Sequence, residues 1–350
     1  MKERAFQRIL FVIPVCFLIL SRPYGFDKNA FDIVTLKKIR QIEHITAKPD
    51  QEDFWFITSY CFDKEGNLLV ADSGLNKIIV FDRDGNPIGS FGRQGQGPGE
   101  FMGRPRGARL EITYGNDERI YVTDLQSRRI SIFNNKYDFQ NSFAIPQGTN
   151  DAAIANRAGD IFILSSKNEG KLICRYDHDL LFKEAFLDAS DHVKSKYFKN
   201  IDWGKKSADE SQLRKVLATD DFLVVCSNVA LKIFVFNNTN KLVKSFGIDN
   251  EVFLHDFKER VKKTRSEKLP PGAVASILPF DLHLDTSGNI YLGYWNTSIG
   301  ANFELYRYSR AGELQKIYRF PEKTLGPFAT DKLNRFYGVS RDRTAVLVFE

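Results

Sequence analysis

The segment Phe280-Asp281-Leu282-His283-Leu284-Asp285 places an acid or an imidazole at every second residue. An extended chain points alternate side chains the same way, so these three share one strand face. A carboxylate beside an imidazole can hold a divalent cation or pass a proton. If that face lines a channel, Asp281 and His283 are the best candidates for a single divalent cation or an acid–base pair. The plainer alternative, which the residues favour, is a polar strand edge with Asp285 in a turn. The other histidines, His44, His178, His192 and His255, fall on other kinds of segment. No Ser-His-Asp set, paired acid or Cys/His spacing is visible, so neither a cofactor nor a catalytic constellation is predicted.

A strand bearing such residues needs neighbours, and the chain supplies them periodically. Gly66-Asn67-Leu68-Leu69-Val70-Ala71-Asp72 is followed by Asn76-Lys77-Ile78-Ile79-Val80-Phe81-Asp82, by Asp84-Gly85-Asn86, and by Pro87-Ile88-Gly89-Ser90-Phe91-Gly92. Three strands separated by Gly, Asn and Asp turns account for this pattern, with 57–62 as a fourth ahead of them. The rhythm returns with second strands opening at Arg119, Asp160, Phe222, Asn289 and Arg335. Each third strand ends on an aromatic: Phe81, Phe133, Tyr176, Phe236, Tyr308 and Phe349. After five of these six, a short polar residue follows.

Six four-stranded units, none able to bury both faces alone, predict an all-β fold: a six-bladed β-propeller. The sixth unit reaches only its third strand at Glu350. Segment 31–39 is predicted to pair with this C-terminal blade as its outer strand and so close the ring. A content of 30 Phe against 2 Met suits pleated, half-buried surfaces.

Residues 66–82 resemble the NHL repeat almost position for position, and the second copy matches well. The run Phe91-Gly92-Arg93-Gln94-Gly95-Gln96-Gly97-Pro98-Gly99-Glu100-Phe101 is similar to a linker of bacterial secreted six-bladed propellers. Copies three to six keep the strand rhythm but lose the Ala-Asp step, so there the likeness is architectural. The resemblance implies a propeller over roughly residues 31–350. Asp72 and Asp124 occupy the repeat's Asp position. They could form a carboxylate ring around a cation, but a turn-capping role is favoured.

In such a ring the connections from second to third strand and from fourth strand to the next blade lie on one face. Insertions gather there: 92–103, 188–212, 249–278 and 294–302. Long loops on a rigid scaffold are a common seat of function; capping of the channel is the alternative. Candidate ligand contacts on this face are Arg104, Arg106, Trp203, Tyr294, Trp295 and Asn296. The glycines of 92–103 lack the Lys-Ser/Thr step of a phosphate loop. A basic helix candidate, 257–263, reads as a solvated face.

Charge and the N-terminus bound the partners. The formal charge is +6, but Lys2, Arg4, Arg8 and Arg22 against Glu3 account for half of it. The remainder is weak for a nucleic-acid binder. The basic start, the uncharged run 9–20 and the breaker Ser21-Arg22-Pro23-Tyr24-Gly25 fit an export signal over residues 1–25. The mature propeller is then 26–350, secreted or periplasmic, with no membrane span. Ile13-Pro14-Val15 ahead of Cys16 argues against lipid attachment there. Cys61, Cys174 and Cys226 are an odd, scattered set expected to be buried free thiols. The leading expectation is a monomeric binding module for a protein, peptide or glycan. A lactonase-like hydrolase or lyase with a channel metal is the alternative, and an anionic polymer such as nucleic acid a third.

Overall fold

The computed structural model describes residues 32–44, 52–103, 109–145, 154–157, 159–168, 171–188, 213–227, 232–248, 281–285, 287–296 and 302–350. The export-signal segment 1–25 and the basic helix candidate 257–263 lie outside these residues, as do Arg104, Arg106 and Trp203.

Two short N-terminal strands come first, β1 (Ile33–Thr35) and β2 (Lys38–Ile42). Blade 1 follows with β3 (Ile57–Phe62), β4 (Leu68–Asp72), β5 (Lys77–Phe81) and β6 (Pro87–Phe91). Blade 2 holds β7 (Leu110–Tyr114), β8 (Ile120–Asp124), β9 (Arg129–Phe133) and β10 (Phe139–Ala144). Blade 3 is built from β11 (Ile154–Arg157), β12 (Asp160–Asn168), β13 (Lys171–Tyr176) and β14 (Phe182–Asp188). In blade 4 the strands are β15 (Leu213–Ala218), β16 (Phe222–Ser227), β17 (Lys232–Asn237) and β18 (Leu242–Gly247). Blade 5 comprises β19 (Asp281–Leu284), β20 (Ile290–Asn296), β21 (Asn302–Tyr308) and β22 (Leu314–Arg319). The chain finishes in blade 6 with β23 (Leu325–Thr330), β24 (Phe336–Val339) and β25 (Val346–Phe349). The four strands within each blade pair antiparallel in sequence order, the first innermost, and β2 is the fourth strand of blade 6. Each inner strand touches that of the next blade, β3–β7–β11–β15–β19–β23 and back to β3. This is the six-bladed propeller read from the repeat.

The closing segment divides its work. Its first part, β1, runs parallel to β22 and adds a fifth strand to blade 5. Only 38–42 forms the antiparallel outer strand on β25. Between them Leu36 is buried, and its N–H donates to the Arg319 carbonyl at 2.9 Å. Lys37 and Glu350 exchange backbone hydrogen bonds at 2.9 and 3.0 Å. The linker thus pins blades 5 and 6 together.

The core is six inter-blade seams. Along β4, Leu68 and Val70 pack toward Tyr337, Val339 and Val348 of blade 6, while Leu69 and Ala71 pack toward Leu110, Ile112 and Val122 of blade 2. A strand covered on both faces is apolar over most of its length, which is why second strands open as apolar runs and bury polar residues such as Asp72 and Asp124 at their ends, where these are hydrogen-bonded. Outer strands such as β6 and β18 are largely exposed, and they alternate or turn polar. Each side chain taken fully into a seam contributes about 1.5–3 kcal/mol.

In blades 1 to 5 the polar residue after the third-strand aromatic caps the following hairpin. Asp82 accepts the N–H groups of Asp84 and Asn86, Asn134 those of Lys136 and Asp138, and Asp177 those of Asp179 and Leu181. Asn237 does the same in blade 4, and Ser309 accepts the Glu313 N–H in blade 5. Three residues after each of these caps the backbone turns left-handed, at Gly85, Tyr137, Leu180, Asn240 and Gly312.

Candidate functional site

The repeat's Asp joins two connections. Asp72 is fully buried and accepts the N–H groups of Gly74 and Leu75 in its own turn, at 2.8 and 3.0 Å. Its carboxylate also takes the N–H groups of Trp55 and Phe56, at 2.7 and 3.0 Å, in the segment entering the blade. Asp124 repeats this with Gln126, Ser127 and Met102. Ser340, at the matching position of blade 6, accepts the N–H groups of Thr344 and Ala345. These side chains are spent on fixing the loop face. The three cysteines outside 1–25 are free thiols, with Cys174 and Cys226 buried in the seams and Cys61 half-buried.

Asp281 and His283 both lie on the innermost strand of blade 5, on one face, as their spacing requires. That face meets β23. One Asp281 oxygen accepts the Phe328 N–H. The other accepts Lys215 Nζ at 2.8 Å and the Leu282 N–H at 3.0 Å. Tyr60, from the inner strand of blade 1, donates its hydroxyl to the Pro327 carbonyl at 2.5 Å. Burial, then the negative charge of Asp281, holds the Tyr60 phenol well above its usual pKa. Two residues further along β19, His283 Nε2 accepts the Thr330 N–H at 3.0 Å and lies 2.8 Å from the Thr330 hydroxyl. Its acceptor nitrogen is therefore Nε2, with the proton assigned to Nδ1. Burial, helped by the Lys215 charge, pushes its pKa down to about 3, so the ring is neutral. Asp285, the third member of the alternating set, caps the following turn by accepting the Ser287 and Asn289 N–H groups. Among the described residues no three His, Cys, Asp or Glu side chains gather as a metal ion would need.

The two ends of the channel differ. At the end carrying the first-to-second-strand turns, side chains bridge the mouth. Asn116 of blade 2 donates to Asp220 of blade 4 at 2.8 Å, Lys64 pairs with Glu118, and Lys332 reaches the Lys64 carbonyl at 3.1 Å. The loop-face end carries charged side chains from several blades. Arg343, in the second turn of blade 6, donates to the Ile57 carbonyl at 2.9 Å and lies over the Phe56 ring. Burial, then the charge of Arg109, lowers its pKa to about 10, while Tyr60 and Asp281 oppose that shift. Trp55 projects from the same face at 62% exposure. Toward the rim of this face, a groove of about 550 Å³ is lined by Gln41, Glu322, Lys323, Ser340, Arg341 and Asp342, among others.

Tyr294 is not on this surface. Strand β20 continues to Asn296, so the period-two alternation turns Tyr294 into the seam between blades 4 and 5, where it is 1% exposed and packs edge-on to Tyr306. Trp295 and Asn296 end that strand, paired with Phe303 and Asn302. Trp55, Arg109 and Arg343 were not singled out in the sequence. Trp55 lies ahead of the first recognisable strand, and Arg343 lies in a turn whose neighbours are remote in the chain.

No helix of the described residues is long and apolar enough to cross a membrane. No family model and no curated protein matches the chain. Solved structures do. A Bacteroides fragilis protein classed as exported superimposes with a TM-score of 0.55 at 13% identity, over 91% of this chain and 98% of its own. A streptogramin B lyase gives 0.53 at 13% identity, over 89% and 97%. A Bacteroides vulgatus member of the DUF4221 family gives 0.53 at 10% identity, over 90% and 97%. At such identities the likeness is one of fold, and it agrees with the strand order: the chain is a six-bladed β-propeller.

Proposed function

We propose that this chain is an exported, monomeric propeller of the NHL type, with residues 1–25 as export signal and 26–350 as the propeller, secreted or periplasmic. Its role in this reading is to bind a protein, peptide or glycan on the loop face. The observation that carries the reading is the asymmetry of the channel. One mouth is bridged by side chains, whereas the other carries Arg109, Arg343 and an exposed indole beside short, hydrogen-bonded segments. Rigid placement of such groups lowers the entropy lost when a ligand orders them. Screening the protein against peptide and oligosaccharide arrays tests this. Binding abolished by Trp55→Ala and Arg109→Gln but kept by Asn116→Ala is the expected pattern. Loss with Asn116→Ala alone would move the site to the other face.

The alternative reading is a channel hydrolase or lyase with a divalent cation on Asp281 and His283. It is favoured by their shared inner-strand face and by the lyase among the structural neighbours. Against it, the Nε2 lone pair of His283 is taken by the Thr330 N–H and Asp281 is committed to Lys215 and Phe328. Metal analysis of the purified protein, with Asp281→Ala and His283→Ala beside it, distinguishes the two. Stoichiometric metal lost in both variants would establish the channel-metal site. The third reading, an anionic polymer such as nucleic acid, predicts steep salt dependence lost when Lys262 and Lys263 are neutralised.

A further inference from the structure

We propose that the loop-face end of blade 1 is a subsite for an acidic glycan, with Arg109 and Arg343 taking a sugar carboxylate and Trp55 stacking on the sugar ring. The inference rests on the reading of the loop face as a ligand surface and adds the chemistry of the ligand.

The two arginines flank one strand start. Arg343 arrives from blade 6 with a left-handed backbone, φ 68°. It is fixed by the Ile57 N–H donating to its carbonyl at 2.9 Å and by its own Nη1 on the Ile57 carbonyl. Arg109 arrives from blade 2. The next residue, Leu110, donates its N–H to Ser73 Oγ at 2.9 Å and accepts Thr58 Oγ1 at 2.7 Å. The backbone of Arg343 is thus tied to Ile57, and that of Leu110, next to Arg109, to Thr58 and Ser73 at the head of β3 and the end of β4. A guanidinium has five N–H donors, and the Ile57 carbonyl uses one of Arg343. Among the described residues no carboxylate forms an ion pair with either arginine. Burial first, and then the charge of Arg109, lowers the pKa of Arg343, so the two guanidiniums feel one another's repulsion. An incoming carboxylate relieves that repulsion and offers bidentate geometry to a guanidinium.

Trp55 supplies the second contact. Its backbone N–H donates to Asp72, and any side chain at Gly74 would meet its Cβ and Cγ at 2.7 Å. The indole is therefore seated on a turn that only glycine leaves open, yet most of it faces solvent. A flat aromatic suits the C–H face of a pyranose. A uronic acid carries both such a face and a carboxylate, the latter for the arginines, of which Arg343 lies over Phe56, the residue next to Trp55. An acidic peptide presents charge without that flat face.

Calorimetric titration of the full chain with oligogalacturonate, neutral oligogalactose and polyglutamate tests the assignment. The uronate oligomer is expected to bind, the neutral oligomer not. Arg109→Gln and Trp55→Ala should each weaken uronate binding by about tenfold or more, as loss of one charge-assisted hydrogen bond or of one buried aromatic contact would, with unchanged melting temperature. Arg109 is exposed, so its variant avoids the folding risk carried by Arg343→Gln. Failure of uronate to bind, or binding indifferent to both variants, overturns the proposal. Polyglutamate binding that needs Arg109 but not Trp55 would make this a peptide site and also overturn it. A neutral ligand held on the same face despite Arg109→Gln would leave the binding role standing and end the acidic-glycan assignment alone.

Discussion

Tyr60 of blade 1 and Asp281 of blade 5 hold opposite ends of one peptide unit in blade 6: the phenol donates to the Pro327 carbonyl, and the carboxylate accepts the Phe328 N–H. Lys215 of blade 4 completes the chain on the other carboxylate oxygen. Four consecutive blades are joined around the channel by side-chain bonds alone. Such a network stabilises only while every member is satisfied.

Asp281→Ala should therefore destabilise the propeller by about 2–4 kcal/mol, since it strands a buried N–H and removes the partner of a half-buried ammonium. Tyr60→Phe removes one neutral bond and should cost about 1 kcal/mol. Urea unfolding of both variants and the double mutant measures this. A non-additive pair is expected because the two act on one peptide. Full additivity, with a small Asp281 effect, would mean the ring does not depend on this bridge.

Asp72→Ala and Asp124→Ala should each cost about 2–4 kcal/mol, because each leaves several turn and linker N–H groups unpaired. Asn at the same positions keeps one acceptor oxygen and should recover part of the loss. Thermal melts with a cation present and absent separate this from metal binding: a capping role predicts no cation dependence.

His283 links stability to acidity. Its folded pKa, about 3, lies below the value of an exposed imidazole. Above the unfolded pKa, roughly 6.5, both states hold the neutral ring and the contribution is complete. As pH falls from there toward the folded pKa, the unfolded chain gains the proton first. Stability then declines by at most about 1.4 kcal/mol per pH unit. His283→Gln should flatten this part of the pH–stability curve. An unchanged slope would place the acid sensitivity elsewhere.

Closure depends on 36–42. Leu36→Ala should cost about 2–4 kcal/mol as a buried apolar truncation. Lys37→Pro removes the N–H that donates to Glu350. Hydrogen exchange should then accelerate selectively in 346–349, the strand that β2 covers. Uniform acceleration around the ring would show instead that closure and global folding are one event.

The number of blades and the positions of most second, third and fourth strands were legible from residues near one another in the chain. Apolar runs bounded by Asp, Asn and Gly turns are local consequences of backbone geometry, and Asp72, Asp82 and Asp124 each cap the turn that follows them; the bonds of Asp72 to Trp55 and Phe56 and of Asp124 to Met102 needed the fold. The inner strands β7, β11, β15 and β23 carried little signal, because a channel wall is neither core nor open solvent and imposes no clean alternation. Tyr294 read as a loop residue because nothing in the sequence marks how far β20 extends. The spacing of Asp281 and His283 correctly placed them on one face, but not what that face meets. That was decided by the neighbouring blade, which offers the Phe328 and Thr330 N–H groups. Likewise only ring closure brings Arg343 beside Ile57 and Arg109, since contacts between blades join residues that no local pattern relates.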